Sequence, residues 1–197
     1  MKRVQLLLIL LAFAVPFAAA DTIQLTNTNL SGVTNIGSVT LTQQAGGVMV
    51  TLQANSGFSF KLSGGDIAFN TSASLSAGSI QNVLIDGTYT SNFTFDSSKN
   101  ISQFGRFTYD IANLTKGTLP HGYVSANTIS FFVSGVTLSQ LQPYKFAVHF
   151  CTASGSQCGP QTGFASNGST VPEPGTLSLL GTGLAGLAGI FRRRFRS

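Results

Sequence analysis

The chain has 197 residues, 43% of them hydrophobic and only 9% charged, with a formal net charge of +5. That charge sits at the two ends: residues 21–170 balance Lys61, Lys99, Arg106, Lys116 and Lys145 against Asp21, Asp66, Asp86, Asp96 and Asp110. A neutral middle lacks the basic patch that nucleic-acid recognition requires, so no nucleic-acid partner is expected.

Residues 1–20 read as a secretory signal helix. Lys2 and Arg3 form a positive start, residues 4–15 form the apolar core with Gln5 its one polar residue, and Ala18-Ala19-Ala20 is a small-residue cleavage site. Cleavage by signal peptidase is expected before Asp21, so Ala18, Ala20 and Asp21 define the processing site. An uncleaved N-terminal anchor is the alternative, and the cleavage site argues against it.

The middle is long enough for one domain with a real core. Its apolar residues recur every second position, the period of half-buried strands. Val39 and Leu41 alternate with polar neighbours over 38–43, and Val48, Val50, Leu52 and Ala54 share one face over 48–54. Ala45-Gly46-Gly47 between them reads as a hairpin loop. Asp86-Gly87 reads as a second one, joining 79–85 to 88–95, because both residues tolerate the positive φ of a type I′ turn. Further strands are expected at 22–28, 58–62, 66–70, 106–111, 129–133 and 144–150, with one helical turn within 138–144. Eight to ten strands and no long amphipathic helix predict an all-β fold, an antiparallel two-sheet sandwich or jelly roll. The domain's many Phe side chains, with no Trp in the chain, would fill the space between sheets. Residues 21–154 are expected to be this domain. The Gly/Ser/Thr-rich stretch 155–171 is expected to be a flexible linker.

Candidate chemistry is sparse. Cys151 and Cys158 are the only cysteines, and in an oxidising compartment a disulfide closing this short loop is the leading reading. The sharper alternative is a metal site, since His149 and Cys151 share a strand face and Cys158 could reach them. His121, between Pro120 and Gly122, reads as a turn residue. There is no G-x-S-x-G elbow, no phosphate-cradling loop and no calcium loop. The domain has five Asp and no Glu. No acid pair is clustered in sequence for glycoside hydrolysis, although two Asp could still meet in space. The reading is therefore non-enzymatic, with no cofactor and no metal. Aromatics that could stack on sugar rings are Tyr89, Tyr123 and Phe164. Threonine pairs at Thr26-x-Thr28, Thr40-x-Thr42 and Thr88-x-Thr90 are irregularly spaced for an ice-binding array, and any solvent-facing strand shows such alternation.

The C-terminal segment 172–197 has three parts. Pro172-Glu173-Pro174 is extended and closes off what precedes it. An apolar run follows, with Leu177, Leu180, Leu184, Leu187 and Ile190 along it. A basic end carries Arg192, Arg193, Arg194 and Arg196. The run reads as a transmembrane helix over 175–191, held by the arginines on the cytoplasmic side over 192–197. At 17 residues it meets only the lower bound of about 17 for a span, and Gly181, Gly183, Gly186 and Gly189 within it weaken it further. A short, weak span suits a transient anchor better than a permanent one. A plain single-pass anchor, a small-residue dimer face and a GPI signal are the alternatives.

This order of Pro-Glu-Pro, Leu179-Leu180-Gly181-x-Gly183-Leu184 and the Arg cluster resembles the PEP-CTERM sorting signal of exported bacterial proteins. The resemblance implies recognition by an exosortase-like membrane enzyme, processing near the motif, and release or attachment at the cell surface. It also implies company with exopolysaccharide and biofilm matrix, and some proteins described as ice-binding carry a similar tail. The middle resembles small exported proteins with this tail that carry no known activity, in Phe104-Gly105-x-Phe107-x-Tyr109 and in Phe146-Ala147-x-His149…Thr162-Gly163-Phe164. The expectation is a protein exported across the inner membrane, transiently anchored by its C-terminal helix, then surface-bound or extracellular. Its role would be structural or matrix-associated. The alternatives are a carbohydrate-binding module and, third, an enzyme whose site the sequence does not reveal.

Overall fold

The computed structural model describes residues 19–114, 125–141, 145–154 and 157–168. The signal segment, the C-terminal anchor, His121, Tyr123 and Tyr144 lie outside the described residues. No helix among those described is long and apolar enough to cross a membrane.

Antiparallel strands account for most of the described residues. In order they are β1 (Ala20–Gln24), β2 (Asn27–Thr28), β3 (Gly37–Gln44), β4 (Gly47–Ala54), β5 (Phe58–Lys61) and β6 (Asp66–Phe69). A 3-10 turn at Ala77–Ser79 leads into β7 (Ile80–Ile85), β8 (Thr88–Tyr89), β9 (Thr94–Asp96), β10 (Lys99–Ile101), β11 (Gly105–Phe107) and β12 (Tyr109–Ala112). Then come β13 (Ser125–Ala126), β14 (Thr128–Ser134), the helical turn α1 (Leu138–Leu141), β15 (Phe146–Ser154) and β16 (Gln157–Ser166).

Two sheets result. The first runs β1-β3-β4-β14-β7-β8. In the second, β15 is paired on both edges. β16 lies along one edge, and β5 and β6 lie end to end along the other, Phe60 opposite Phe150 and Ile67 opposite Val148. β12 and β9 extend this sheet beyond β6, β13 extends it beyond β5, and β2 caps β16. Both predicted hairpins form as expected. Gln44 pairs with Gly47 around Ala45-Gly46, and Ile85 pairs with Thr88 around Asp86-Gly87, where both turn residues have positive φ.

Three predicted strands are each divided, and polar side chains explain two of the divisions. Residues 22–28 split into β1 on the first sheet and β2 on the second, as the chain crosses at the fully buried Leu25. Residues 88–95 split into β8 and β9, again on different sheets. The hydroxyl of buried Thr90 accepts the Asn92 N–H at 3.2 Å and turns the chain. Residues 106–111 split at Thr108, whose N–H and hydroxyl both donate to Asn70 Oδ1, at 2.7 and 3.1 Å. The chain thus carries sixteen short strands among the described residues where eight to ten were expected.

The expected linker is corrected. Residues 157–166 are β16, whose backbone pairs with β15 from Ser154 to Ala147. Its Gly and Thr content suggests a linker, but Gly163 is there because a Cβ would collide with Asn29 Oδ1 and Leu30. The Ser166 hydroxyl donates to the Phe146 carbonyl at 2.6 Å, and the Phe146 N–H donates to Asn167 Oδ1 at 2.8 Å. Regular packing therefore continues to Gly168.

The inward residues of both sheets form one apolar cluster. Val39, Val50, Leu52 and Phe131 come from the first sheet and Phe60, Phe69, Phe146 and Phe150 from the second, all essentially inaccessible. Phe69 sits at the centre, stacked on Phe146 at 5.8 Å and reaching Phe131 of the facing sheet at 6.3 Å. Truncating so central an aromatic removes buried area and leaves a cavity. Phe69→Ala is expected to cost about 3–5 kcal/mol, measured by urea unfolding; a loss under about 1 kcal/mol would show that the sheets do not depend on this contact.

Candidate functional site

The pleat sends alternate residues of the second sheet outward, and there a second, smaller apolar cluster forms. Ile101, Phe104 and Phe107 of the β10–β11 hairpin pack down on Ala68 of β6 and Ala147 of β15, with Phe164 beside them. The alanines leave room for the hairpin's larger side chains. The hairpin is thus a lid on the outer face of the sheet.

Under and beside this lid lie several ionisable groups. Lys99, the first residue of β10, reaches Asp66 Oδ1 at 2.6 Å and Asp110 Oδ2 at 3.5 Å. The first is a charge-assisted hydrogen bond; the second is an ion-pair contact, long for a hydrogen bond. Asp66 and Asp110 meet because β12 pairs with β6, Asp110 opposite Ala68 and Ala112 opposite Asp66, which places both carboxylates on the outer face. Asp110 is fully buried, and neither of its oxygens has a hydrogen-bond partner among the described residues. Burial, followed by the like charge of Asp66, pushes its pKa up to about 7. Lys99 moves upward: its contacts with Asp66 and Asp110 together outweigh burial, the largest single influence, which lowers it.

His149 is also on this outer face, its ring stacked on Phe164 at 4.4 Å. Burial, then the nearby Lys61 charge, lower its pKa, so the neutral imidazole is favoured. Its Nδ1 is buried without a hydrogen-bond partner among the described residues. The loop 62–65 between β5 and β6 lies near His149, and the Gly64 backbone partly offsets the lowering of its pKa. This loop needs Gly65, where a Cβ would collide with the Lys61 carbonyl oxygen.

Cys151 and Cys158 are joined by a disulfide, with Cα atoms 5.4 Å apart, stapling the far end of the β15–β16 hairpin. The alternative metal set of His149, Cys151 and Cys158 is therefore closed off, and no group of three or more His, Cys, Asp or Glu among the described residues is placed to hold a metal. Tyr89 is exposed, while Phe164 is half-buried against His149. Thr22, Thr40, Thr51 and Ser130 line up across β1, β3, β4 and β14. Ala18, Pro172, Glu173, Pro174, the apolar run and the terminal arginines lie outside the described residues. Ala20 and Asp21 open β1, opposite Thr42 and Leu41.

Sequence reading missed the Lys99–Asp66–Asp110 cluster, because its members are 33 and 44 positions apart from Asp66. The available signal was weak: seven of the ten charged residues of the neutral middle lie in strands, so strand placement does not single out these three.

Residues 170–194 match the PEP-CTERM protein-sorting motif. No curated protein and no solved structure matches the chain. The chain carries a PEP-CTERM sorting signal, which directs a protein to export, transient membrane anchoring and processing by an exosortase-like enzyme before surface release.

The raised pKa of Asp110 fixes a direction of pH dependence. Below its ordinary value near 3.8 the carboxyl is protonated in both folded and unfolded chains. Between about 4 and about 7 the unfolded chain gives up this proton and the folded chain keeps it, so the stability from this group is lost as pH rises through that window. Asp110→Asn removes this loss. Its unfolding midpoint, followed by circular dichroism from pH 4 to 8, should fall less with rising pH than that of the unsubstituted protein. Parallel curves would contradict the burial of an ionisable Asp110.

Proposed function

We propose that this chain is a non-enzymatic structural protein of the cell envelope or exopolysaccharide matrix, delivered there through its C-terminal sorting signal. The match of residues 170–194 to the sorting motif carries the reading. The domain suits the role: a two-sheet sandwich of low charge, held together by its apolar core and stapled by Cys151–Cys158. Its last sheet pairing, at Ser166, stands six positions before Pro172. The folded domain is therefore presented close to the processing motif. The apolar run 175–191 acts as the temporary membrane helix, and Arg192, Arg193 and Arg194 hold its end on the cytoplasmic side.

A second reading is a module that binds extracellular polysaccharide or another regular surface such as ice. One observation favours it: the hydroxyl row of Thr22, Thr40, Thr51 and Ser130 on the first sheet, with Thr22 and Thr40 hydroxyls 3.2 Å apart. Strands in a sheet stand about 4.8 Å apart, so such a row repeats evenly.

The test is C-terminal peptide mapping of the protein in the native host, with and without replacement of Pro172, Glu173 and Pro174 by alanine. The unsubstituted protein should begin at Asp21, lack the residues beyond the motif, and appear in the matrix fraction. The triple variant should stay in the membrane with Arg196 and Ser197 attached. An unsubstituted protein that keeps its terminal arginines in the membrane would make the tail a plain anchor.

A further inference from the structure

We propose that Lys99 and Asp66 condense into an intramolecular amide, with Asp110 carrying the protons, so that the β10–β11 hairpin is tied covalently to the second sheet. Three observations converge on this. The Lys99 amine is 2.6 Å from Asp66 Oδ1, one bond from the carbon it would attack. A second carboxyl, Asp110, is 3.5 Å from the same nitrogen. That carboxyl is fully buried, and neither of its oxygens has a hydrogen-bond partner among the described residues.

The chemistry balances without a co-reactant. Asp110 takes a proton from the Lys99 ammonium, and the freed lone pair attacks Cγ of Asp66. The Nζ–Cγ bond forms and one Cγ–O bond breaks. Both protons lost by the nitrogen end on the departing oxygen, carried in turn by Asp110, and one water leaves. Asp110 returns to its starting state. Ammonium and carboxylate charges disappear together, so the product is a neutral amide.

Lysine in an ion pair is normally a poor nucleophile, because its proton is held. Here the holding acid is the unusual one. Burial gives Asp110 a proton affinity far above that of an ordinary carboxyl, which narrows the gap to the amine. Fixing the groups in contact replaces a bimolecular encounter, an advantage worth an effective molarity of about 10⁵–10⁸ M in well-oriented cases. Removing both charges also relieves the desolvation that a partly buried ion pair offsets only incompletely. Asp66 side-chain exposure is 11% and that of Lys99 is 33%, so the reacting carboxyl is the more sheltered partner. The lid of Ile101, Phe104 and Phe107 packs beside it.

The released protein, reduced and digested, gives the answer. Trypsin cuts after Lys61, Lys99 and Arg106 in an ordinary chain, giving peptides 62–99 and 100–106. An acylated Lys99 is not cut, so the amide yields one peptide, 62–106, lighter by one water. Chymotryptic cleavage at Phe69 and Phe95 should then leave two chains joined through Asp66 and Lys99. The joined peptide is expected in the unsubstituted protein and lost in both Lys99→Arg, which keeps the charge, and Asp110→Asn. Full-mass peptides 62–99 and 100–106 from the unsubstituted protein overturn the proposal, whatever the variants do. A bond mapped to Asp110 overturns the assignment of Asp66 as acceptor, and a bond surviving in Asp110→Asn overturns the proton-carrying role.

Discussion

Strand β15 is the element on which the rest of the structure depends. It is paired along both edges, to β16 on one side and to β5 and β6 on the other. Its pleat sends Phe146, Val148 and Phe150 into the core shared by the two sheets, and Ala147 and His149 to the outer face. One strand thus fixes the main core, the floor under the hairpin lid and one end of the disulfide. A strand so placed has no free edge, which is also how an exported β protein avoids pairing with its neighbours there.

Charge is scarce in this domain, and its placement is correspondingly informative. Most charged side chains stay at the surface, but Asp110 is fully buried and shares Lys99 with Asp66. An uncompensated buried carboxylate is costly. The structure tolerates it by holding the proton, by drawing Lys99 over it, or by both. The same cluster pins the start of the β10–β11 hairpin, so electrostatics and the small apolar patch of Ile101, Phe104 and Phe107 close one lid together. His149, neutral and stacked on Phe164, borders the cluster without supplying a charge of its own.

How much of this was legible in the sequence depended on the range of the interaction. Local chemistry was readable: the Asp86-Gly87 turn, the Gly46 turn, and the alternation of β3, β4 and β14 all follow from residues within a few positions. Composition misled over 155–171, because a Gly/Thr-rich strand and a Gly/Thr-rich linker look alike until the pairing partner is known. The breaks at Thr90 and Thr108 depend on single polar side chains, which periodicity does not weigh. The charged cluster was invisible because strand register, not sequence proximity, brings Asp66 to Asp110. The sorting tail was readable without any fold, since a sorting enzyme and a bilayer read it as linear sequence.

Tail and domain have separate tasks that meet at β16. The tail gives the address, and β16 locks the last part of the domain into the sheet just ahead of the motif. The account rests on β15 as the doubly paired centre of the second sheet, and native-state hydrogen exchange tests that most directly. The amides of Ala147, Val148, Phe150 and Cys151, where the pairing is two-sided, should be among the slowest in the protein and exchange only by global unfolding. Those of edge strands β1 and β8 should be faster. If the β15 amides instead exchange as fast as those of β1 and β8, the strand is not the centre of the sheet and the account is wrong at its root.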